Sequence, residues 1–195
     1  PEAWEHLGAW REMLDEYDAA ADAYLRASQL SPETPSLRFN LAMALRENED
    51  TEGATTTYRG LIDELKGHDD ESSHEMLADA YTGLAATLNL AARYDQALQV
   101  AQEFLDAFPD QPEGLYEQAS ALDMLGRHEE AIVAYEAALR GDPLNATYCN
   151  DLADTYFTVG RIEDAIEMAE NAIALDPEMA VAYETLAQAL AAAGR

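Results

Sequence analysis

The chain has 195 residues, of which 39 are acidic and 11 basic, so that its formal net charge is −28. This charge excludes double-stranded nucleic acid and anionic lipid surfaces as expected partners, because both require clusters of Lys and Arg. Val and Ile together supply 9 residues, against 38 Ala and 24 Leu, which favours helices over strands.

Two series of small residues recur along the chain with the same spacing. The first series is Ala20, Ala54, Ala97, Ala131 and Ala165. The second series is Gly8, Ala42, Ala85, Ala119, Ala153 and Ala187. Both advance by 34 residues at every step except for one step of 43. A shared period of this length predicts an array of repeated structural units with one insertion.

Each unit is predicted to be a pair of helices. Apolar residues at helical spacing indicate the first helix, a turn such as Gly126-Arg127 closes it, and a proline such as Pro143 follows the second helix. In units four and five we expect the second helices at residues 130–140 and 163–175. The predicted order is repeat 1 (1–34), repeat 2 (35–68), an insertion (69–77), repeat 3 (78–111), repeat 4 (112–145), repeat 5 (146–179) and an unpaired helix (180–195).

The insertion at residues 69–77 is expected to be a polar loop followed by an early helix start. Ser72 and Glu75 have the spacing of a capping box, which would lengthen the first helix of repeat 3. An irregular surface loop without a role is the alternative.

The repeated pattern resembles the tetratricopeptide repeat family over the whole chain apart from the insertion. In the first unit the residues at the family's expected positions are Trp4, Leu7, Gly8, Ala20, Tyr24, Ala27 and Pro32. Arg38 departs from the pattern, because a large apolar residue is usual there. The resemblance implies an all-α fold, a right-handed α-α solenoid (superhelix) of helical hairpins in which neighbouring units must stack. It also implies a protein–protein interaction scaffold without catalysis of its own.

In this family the first helices of successive units line a concave groove that binds peptides. Carried over by repeat position, the expected groove residues are Phe39, Asn40, Met43, Arg46, Asn89, Tyr116, Ser120, Met124, Asn150 and Phe157. Exposed apolar groups beside amides suit a peptide segment, although the same side chains could instead pack on neighbouring helices. Asn40 matches one Asn of the subclass that grips a chaperone's carboxylate terminus. The basic residues and the second Asn of that clamp are missing, so an acidic tail is not the expected ligand.

Motifs for a cofactor or a metal are missing from the sequence. Asn48, Asp50 and Gly53 mimic the start of a calcium loop, but Arg59 occupies the position that needs a bidentate carboxylate. The lone Cys149 cannot form an internal disulfide and is expected to be a buried, inert thiol. No apolar run reaches the roughly 18 residues of a membrane span.

Two other functions stay open at this point. The chain starts at the first position of a repeat and stops inside another, which would fit the regulatory or substrate-recruiting part of a larger enzyme. The unpaired helix at residues 180–195 would fit self-association into a homodimer.

The charge itself has two explanations. The acidic surface could serve a basic partner, or it could reflect a high-salt cytoplasm. Carboxylates occur in every repeat and Arg supplies 10 of the 11 cations, which favours a halophilic, cytoplasmic protein.

If the carboxylates repel one another across the repeats, stability will rise with salt. The Debye length, which is the distance over which salt screens a charge, shortens from about 10 Å at 0.1 M to about 3 Å at 1 M. We therefore expect the thermal midpoint to climb by several degrees, on the order of 5 °C, over that range of NaCl. Sulfate should be compared with chloride, since sulfate also strengthens apolar burial. A midpoint that does not change with NaCl would favour the basic partner.

Overall fold

The computed structural model describes all residues 1–195, and its regular secondary structure is entirely α-helical. The chain forms two compact units, a first unit of residues 1–93 and a second unit of residues 94–195. The boundary falls within the predicted repeat 3, between its two helices.

The first unit contains five helices. They are α1 (Glu2–Glu12), α2 (Tyr17–Leu30), α3 (Pro35–Glu47), α4 (Thr51–Leu65) and α5 (Glu71–Leu90). Each helix packs against the next along the chain, and α3 also contacts α5. This antiparallel succession of short-linked helices is the helical-hairpin arrangement that the repeat predicts.

The second unit contains six helices. They are α6 (Tyr94–Ala107), α7 (Pro112–Met124), α8 (His128–Gly141), α9 (Ala146–Thr158), α10 (Ile162–Leu175) and α11 (Ala180–Ala192). Consecutive helices pack against each other, and α9 additionally contacts both α7 and α11. The first helices of successive hairpins therefore lie side by side.

A residue with positive φ follows the first helix of each hairpin, and also α11, two or three positions after the last helical residue. These residues are Asp15, Glu49, Ala92, Gly126, Gly160 and Gly194. They repeat every 34 residues with one interval of 43, as the buried alanines do. The following N–H bonds back to the last turn, as Arg127 does to the Leu122 carbonyl at 2.9 Å. This Schellman closure needs a residue in the left-handed backbone conformation, which Gly adopts without strain.

The nine extra residues lengthen α5. The helix starts at Glu71, within the insertion, and has 20 residues, whereas α3 and α7 have 13. The predicted capping box at Ser72 and Glu75 is wrong. Asp70 caps the helix instead, because its carboxylate accepts a hydrogen bond from the Ser73 N–H at 3.0 Å.

Alanine and glycine positions bring the paired helices close together. All five members of the first series are fully buried, with no exposed surface. Tyr24 lies against Gly8 and Tyr58 against Gly83, where an added Cβ would come within 3 Å of the ring. A buried side chain of this size contributes roughly 1.5–3 kcal/mol. The small residues therefore add little burial of their own but make room for the large side chains.

The helix-ending turns generate a test of backbone strain. Ala92 at φ 57° carries a left-handed strain of about 1–2 kcal/mol that Gly would avoid. After the entropy that Gly loses on folding, Ala92→Gly should still stabilise by about 0.5–1 kcal/mol. Gly126→Ala is the reciprocal control, because its Cβ would meet no atom within 4 Å; it should destabilise by a similar amount. Urea midpoints measure both, and shifts in the same direction would contradict this account.

Candidate functional site

A cavity of about 340 Å³ opens between the first helices of the second unit. We call it the first-helix cavity. Its lining residues are Ser120, Asp123, Met124, Tyr135, Asn150, Asp151, Asp154, Val181, Glu184, Thr185 and Gln188. All but Tyr135 come from α7, α9 and α11, so the contacts of α9 with its two neighbours create the cavity.

A hydrogen-bonded network joins three helices at the floor of the cavity. The Tyr116 hydroxyl donates to Asp151 Oδ2 at 2.7 Å, and Asn150 Nδ2 donates to Asp151 Oδ1 at 3.1 Å. The Thr185 hydroxyl lies 3.2 Å from Asn150 Oδ1. Because every member has a partner, the network fixes the position of the Asp151 carboxylate.

Negative charge accumulates in the cavity. Burial raises the pKa of Asp151, and its two hydrogen bonds only partly offset the effect. Burial, together with the Asp123 charge, also raises the pKa of Asp154. Burial and nearby carboxylates raise the pKa of the Tyr135 phenol. His128 Nδ1 lies 2.7 Å from Asp123 Oδ1. The site thus favours a cationic group, which would relieve the repulsion between carboxylates.

Three of the five groove residues predicted in the second unit line the cavity. Met124 stands at the mouth with 57 % of its surface exposed. Ser120 is half-buried, and Asn150 is buried as part of the floor network. The structure therefore brings these three residues together around one concave site.

The other two predicted residues take part in packing. Tyr116 stacks on Tyr148 with ring centroids 4.5 Å apart and bonds to Asp151 through its hydroxyl. Phe157 is half-buried against the hydrophobic core of the second unit. Tyr116 thus positions a carboxylate, and neither ring is among the residues that line the cavity.

The groove residues predicted in the first unit lie on two helices. They are Phe39, Asn40, Met43 and Arg46 on α3, and Asn89 on α5. Phe39 packs edge-to-face on Tyr58 with centroids 5.9 Å apart. Arg46 pairs with the neighbouring Glu47 at 2.8 Å. All five are partly exposed, and their role in binding stays a prediction.

Four acidic lining residues are not among the ten residues predicted for the groove. Asp123, Asp151, Asp154 and Glu184 all face the cavity. The repeat period carried a signal for three of them, since Asp123, Asp154 and Glu184 each follow a predicted groove residue by 34 residues. The prediction selected apolar and uncharged polar groups and one arginine on the inner face, and left the carboxylates out.

Metal and thiol chemistry have little support in the structure. No group of His, Cys, Asp and Glu side chains is arranged to hold a metal ion. Cys149 is a buried free thiol, and burial raises its pKa. A thiol in that state is a poor nucleophile. No helix has the length and apolar character needed to cross a membrane.

A family model for the tetratricopeptide repeat matches residues 14–69, 91–146 and 150–195. The chain belongs to the tetratricopeptide repeat family. Its fold class is accordingly an all-α solenoid of tetratricopeptide hairpins. No curated protein sequence matches the chain significantly.

Solved tetratricopeptide structures share the fold at low sequence identity. TTC0263, a thermophilic protein of Thermus thermophilus, has a TM-score of 0.70 and 21 % identity over 97 % of this chain and 98 % of its own. YrrB, described as having an unusual peptide-binding site, has a TM-score of 0.61 and 18 % identity over 93 % of this chain and 89 % of its own. The first tetratricopeptide domain of Spaghetti (RPAP3), bound to the HSP90 peptide SRMEEVD, has a TM-score of 0.57 and 19 % identity over 60 % of this chain and 94 % of its own.

The raised pKa of Asp154 generates a test with a defined sign. When the pKa of a carboxyl is higher in the folded state than its unfolded value of 3.8, the folded protein loses stability as the pH rises through that interval. The loss persists at neutral pH. Asp154→Asn should therefore raise the thermal midpoint at pH 7, by no more than about 1–2 °C because the side chain is exposed and solvent screens its charge, with the gain vanishing below about pH 4. The matched control is Glu130→Gln, whose carboxyl pKa is lowered by Arg127, and it should bring no gain. A pH-independent effect of Asp154→Asn would contradict the electrostatic account.

Proposed function

We propose that this tetratricopeptide protein is a non-catalytic interaction scaffold whose first-helix cavity binds a peptide segment carrying Lys or Arg. The observation that carries the proposal is the half-buried carboxylate of Asp151, held in place among further acidic side chains. In the first unit, the partly exposed residues of α3 and α5 are proposed as further peptide contacts.

The cavity suits a basic side chain for electrostatic reasons. Three side chains, Asp123, Asp154 and Glu184, surround Asp151, and three of the four arginines of this unit pair with carboxylates outside the cavity. A charge-assisted hydrogen bond to such a carboxylate is shorter and stronger than one between neutral groups. Screening by salt is also weaker there than on the open surface.

The mouth of the cavity suits an apolar neighbour of that basic residue. Met124 and Val181 are both substantially exposed beside the carboxylates. Met adapts its shape to different apolar partners. A peptide with one cation next to one aliphatic side chain would therefore engage both parts of the site.

Relatives of this fold bind peptides, which supports the proposal, but the charge here is different. The HSP90 peptide in the Spaghetti complex, SRMEEVD, is acidic. The carboxylates of the first-helix cavity would repel such a peptide. We therefore expect this chain to prefer the opposite charge.

Fluorescence anisotropy with three synthetic peptides tests the charge preference. Each is extended, about nine residues long and roughly 30 Å in length, with Leu beside a central Arg, citrulline or Glu. We expect the Arg peptide to bind about tenfold more tightly than its neutral isostere citrulline, and the Glu peptide not to bind. Equal affinity for Arg and citrulline would refute the proposal.

Variants of the lining residues test whether the peptides bind in the first-helix cavity. Replacing Asp154 by Asn together with Glu184 by Gln should remove the preference for Arg over citrulline. Met124→Ser should weaken both peptides. Val133→Ser is the matched control, because Val133 is similarly exposed at 64 % but lies on α8 outside the cavity, and it should leave binding unchanged.

A second candidate function is self-association through residues 180–195. Tyr183, Ala187 and Ala191 form an exposed stripe at four-residue spacing along α11. Ala187 is exposed, although its counterparts Ala119 and Ala153 are fully buried. Sedimentation velocity at several concentrations distinguishes this proposal, and a monomer throughout would eliminate it.

A further inference from the structure

A second concavity of the second unit lies away from the first-helix cavity. It has a volume of about 880 Å³, and we call it the second-helix groove. Fifteen residues line it. They belong to α6, α7 and α8 and to the turn before α8, and none is shared with the first-helix cavity.

The floor of the second-helix groove is apolar. Leu98 of α6, Leu115 and Leu122 of α7, and Val133 of α8 line it. Val133 has 64 % of its surface exposed, so packing within the chain does not account for an aliphatic residue there. An apolar strip between two helices is the surface on which the apolar face of a third helix packs.

The rim of the groove is negatively charged. Asp95, Glu103, Asp106 and Glu129 flank the apolar floor. The one rim cation, Arg127, is neutralised because its guanidinium bonds to both carboxylate oxygens of Glu130, at 2.8 and 2.7 Å. The rim therefore keeps a net negative charge that a partner's Lys or Arg can offset.

The apolar surface continues past Val133. A neighbouring cavity of about 380 Å³ shares Glu129 and Val133 with the groove and adds Ile132, Val159, Glu136 and Arg161. Val133 thus belongs to both depressions, and the Arg161 cation of the smaller one is paired with Asp164. A helix whose apolar side chains lie on either side of Val133 would fill both depressions.

We propose that the second-helix groove docks an amphipathic helix of another protein, with an apolar face flanked by Lys and Arg. Charge complementarity selects this occupant. A second copy of this chain would bring a net charge of −28 and a single Lys to the acidic rim, and like charges across an interface cost affinity. The docked helix leaves the first-helix cavity free, so one tetratricopeptide unit can hold two partner segments.

A synthetic helix measures this docking directly. The probe is a fluorescein-labelled peptide of about 18 residues with Leu at i, i+3, i+4 and i+7, Lys on both flanks and Ala elsewhere. The comparison peptides have the same composition with the Leu stripe scrambled, or Glu in place of Lys. We expect micromolar binding of the probe only, weakening at least tenfold between about 0.05 M and about 0.5 M NaCl.

Two exposed aliphatic side chains of the same unit give a matched pair of variants. Val133→Ser should weaken the helical probe about tenfold, whereas Met124→Ser should leave it unchanged. Replacing Asp95 by Asn together with Glu129 by Gln should flatten the salt dependence while the far-ultraviolet circular dichroism stays that of the parent chain.

The results separate this proposal from the one for the first-helix cavity. Docking in the groove is overturned if the scrambled peptide binds as well as the probe, if Val133→Ser has no effect, or if Met124→Ser weakens the probe equally. The Arg peptide of the first-helix cavity should not displace the helical probe. Displacement would place both peptides at one site and overturn the separate groove.

Discussion

Close approach of paired helices at alanine and glycine is the constraint on which the structure depends. No hairpin can bury its apolar face alone, so each helix must lie near enough to its neighbour for a large side chain to reach across. Tyr24 and Tyr58 do so where Gly8 and Gly83 leave room for their rings. Turn closure has the same period as this packing, because each left-handed residue sets the start of the next helix.

The first-helix cavity is a consequence of that packing. Contacts of α9 with α7 and α11 set equivalent residues side by side. Positions 34 residues apart, such as Ser120 and Asp154 or Asn150 and Glu184, therefore converge on one cavity. Tyr116 illustrates how packing serves the site, since one side of its ring stacks on Tyr148 while its hydroxyl fixes Asp151. Residues at equivalent repeat positions of neighbouring first helices therefore form one cluster.

Periodicity made the fold predictable from the sequence, whereas the site was predictable only in part. Ser120, Met124 and Asn150 line the first-helix cavity because repeat position determines which side of a first helix a residue occupies, and their role in binding stays a prediction. Packing of Tyr116 on neighbouring helices was an open alternative, but repeat position does not reveal hydrogen bonding, so its bond to Asp151 was not predicted. Arg38 is similar: where the family has an apolar residue, it bonds to Glu64 across α3 and α4 at 2.7 Å. The Asp70 cap was missed because several neighbouring residues could cap α5.

High-salt adaptation and partner binding make different demands on where carboxylates lie. Arginines such as Arg127 and Arg161 are tied to carboxylates three residues away, so the remaining negative charge must be offset from outside the chain. Salt ions can screen exposed side chains, and adaptation to salt is sufficient to explain those. Screening reaches a half-buried group poorly, and burial of Asp151 costs stability at neutral pH because its pKa is raised. Adaptation to salt therefore does not account for a carboxylate held in that position by two hydrogen bonds, whereas the proposed binding of a cationic group would.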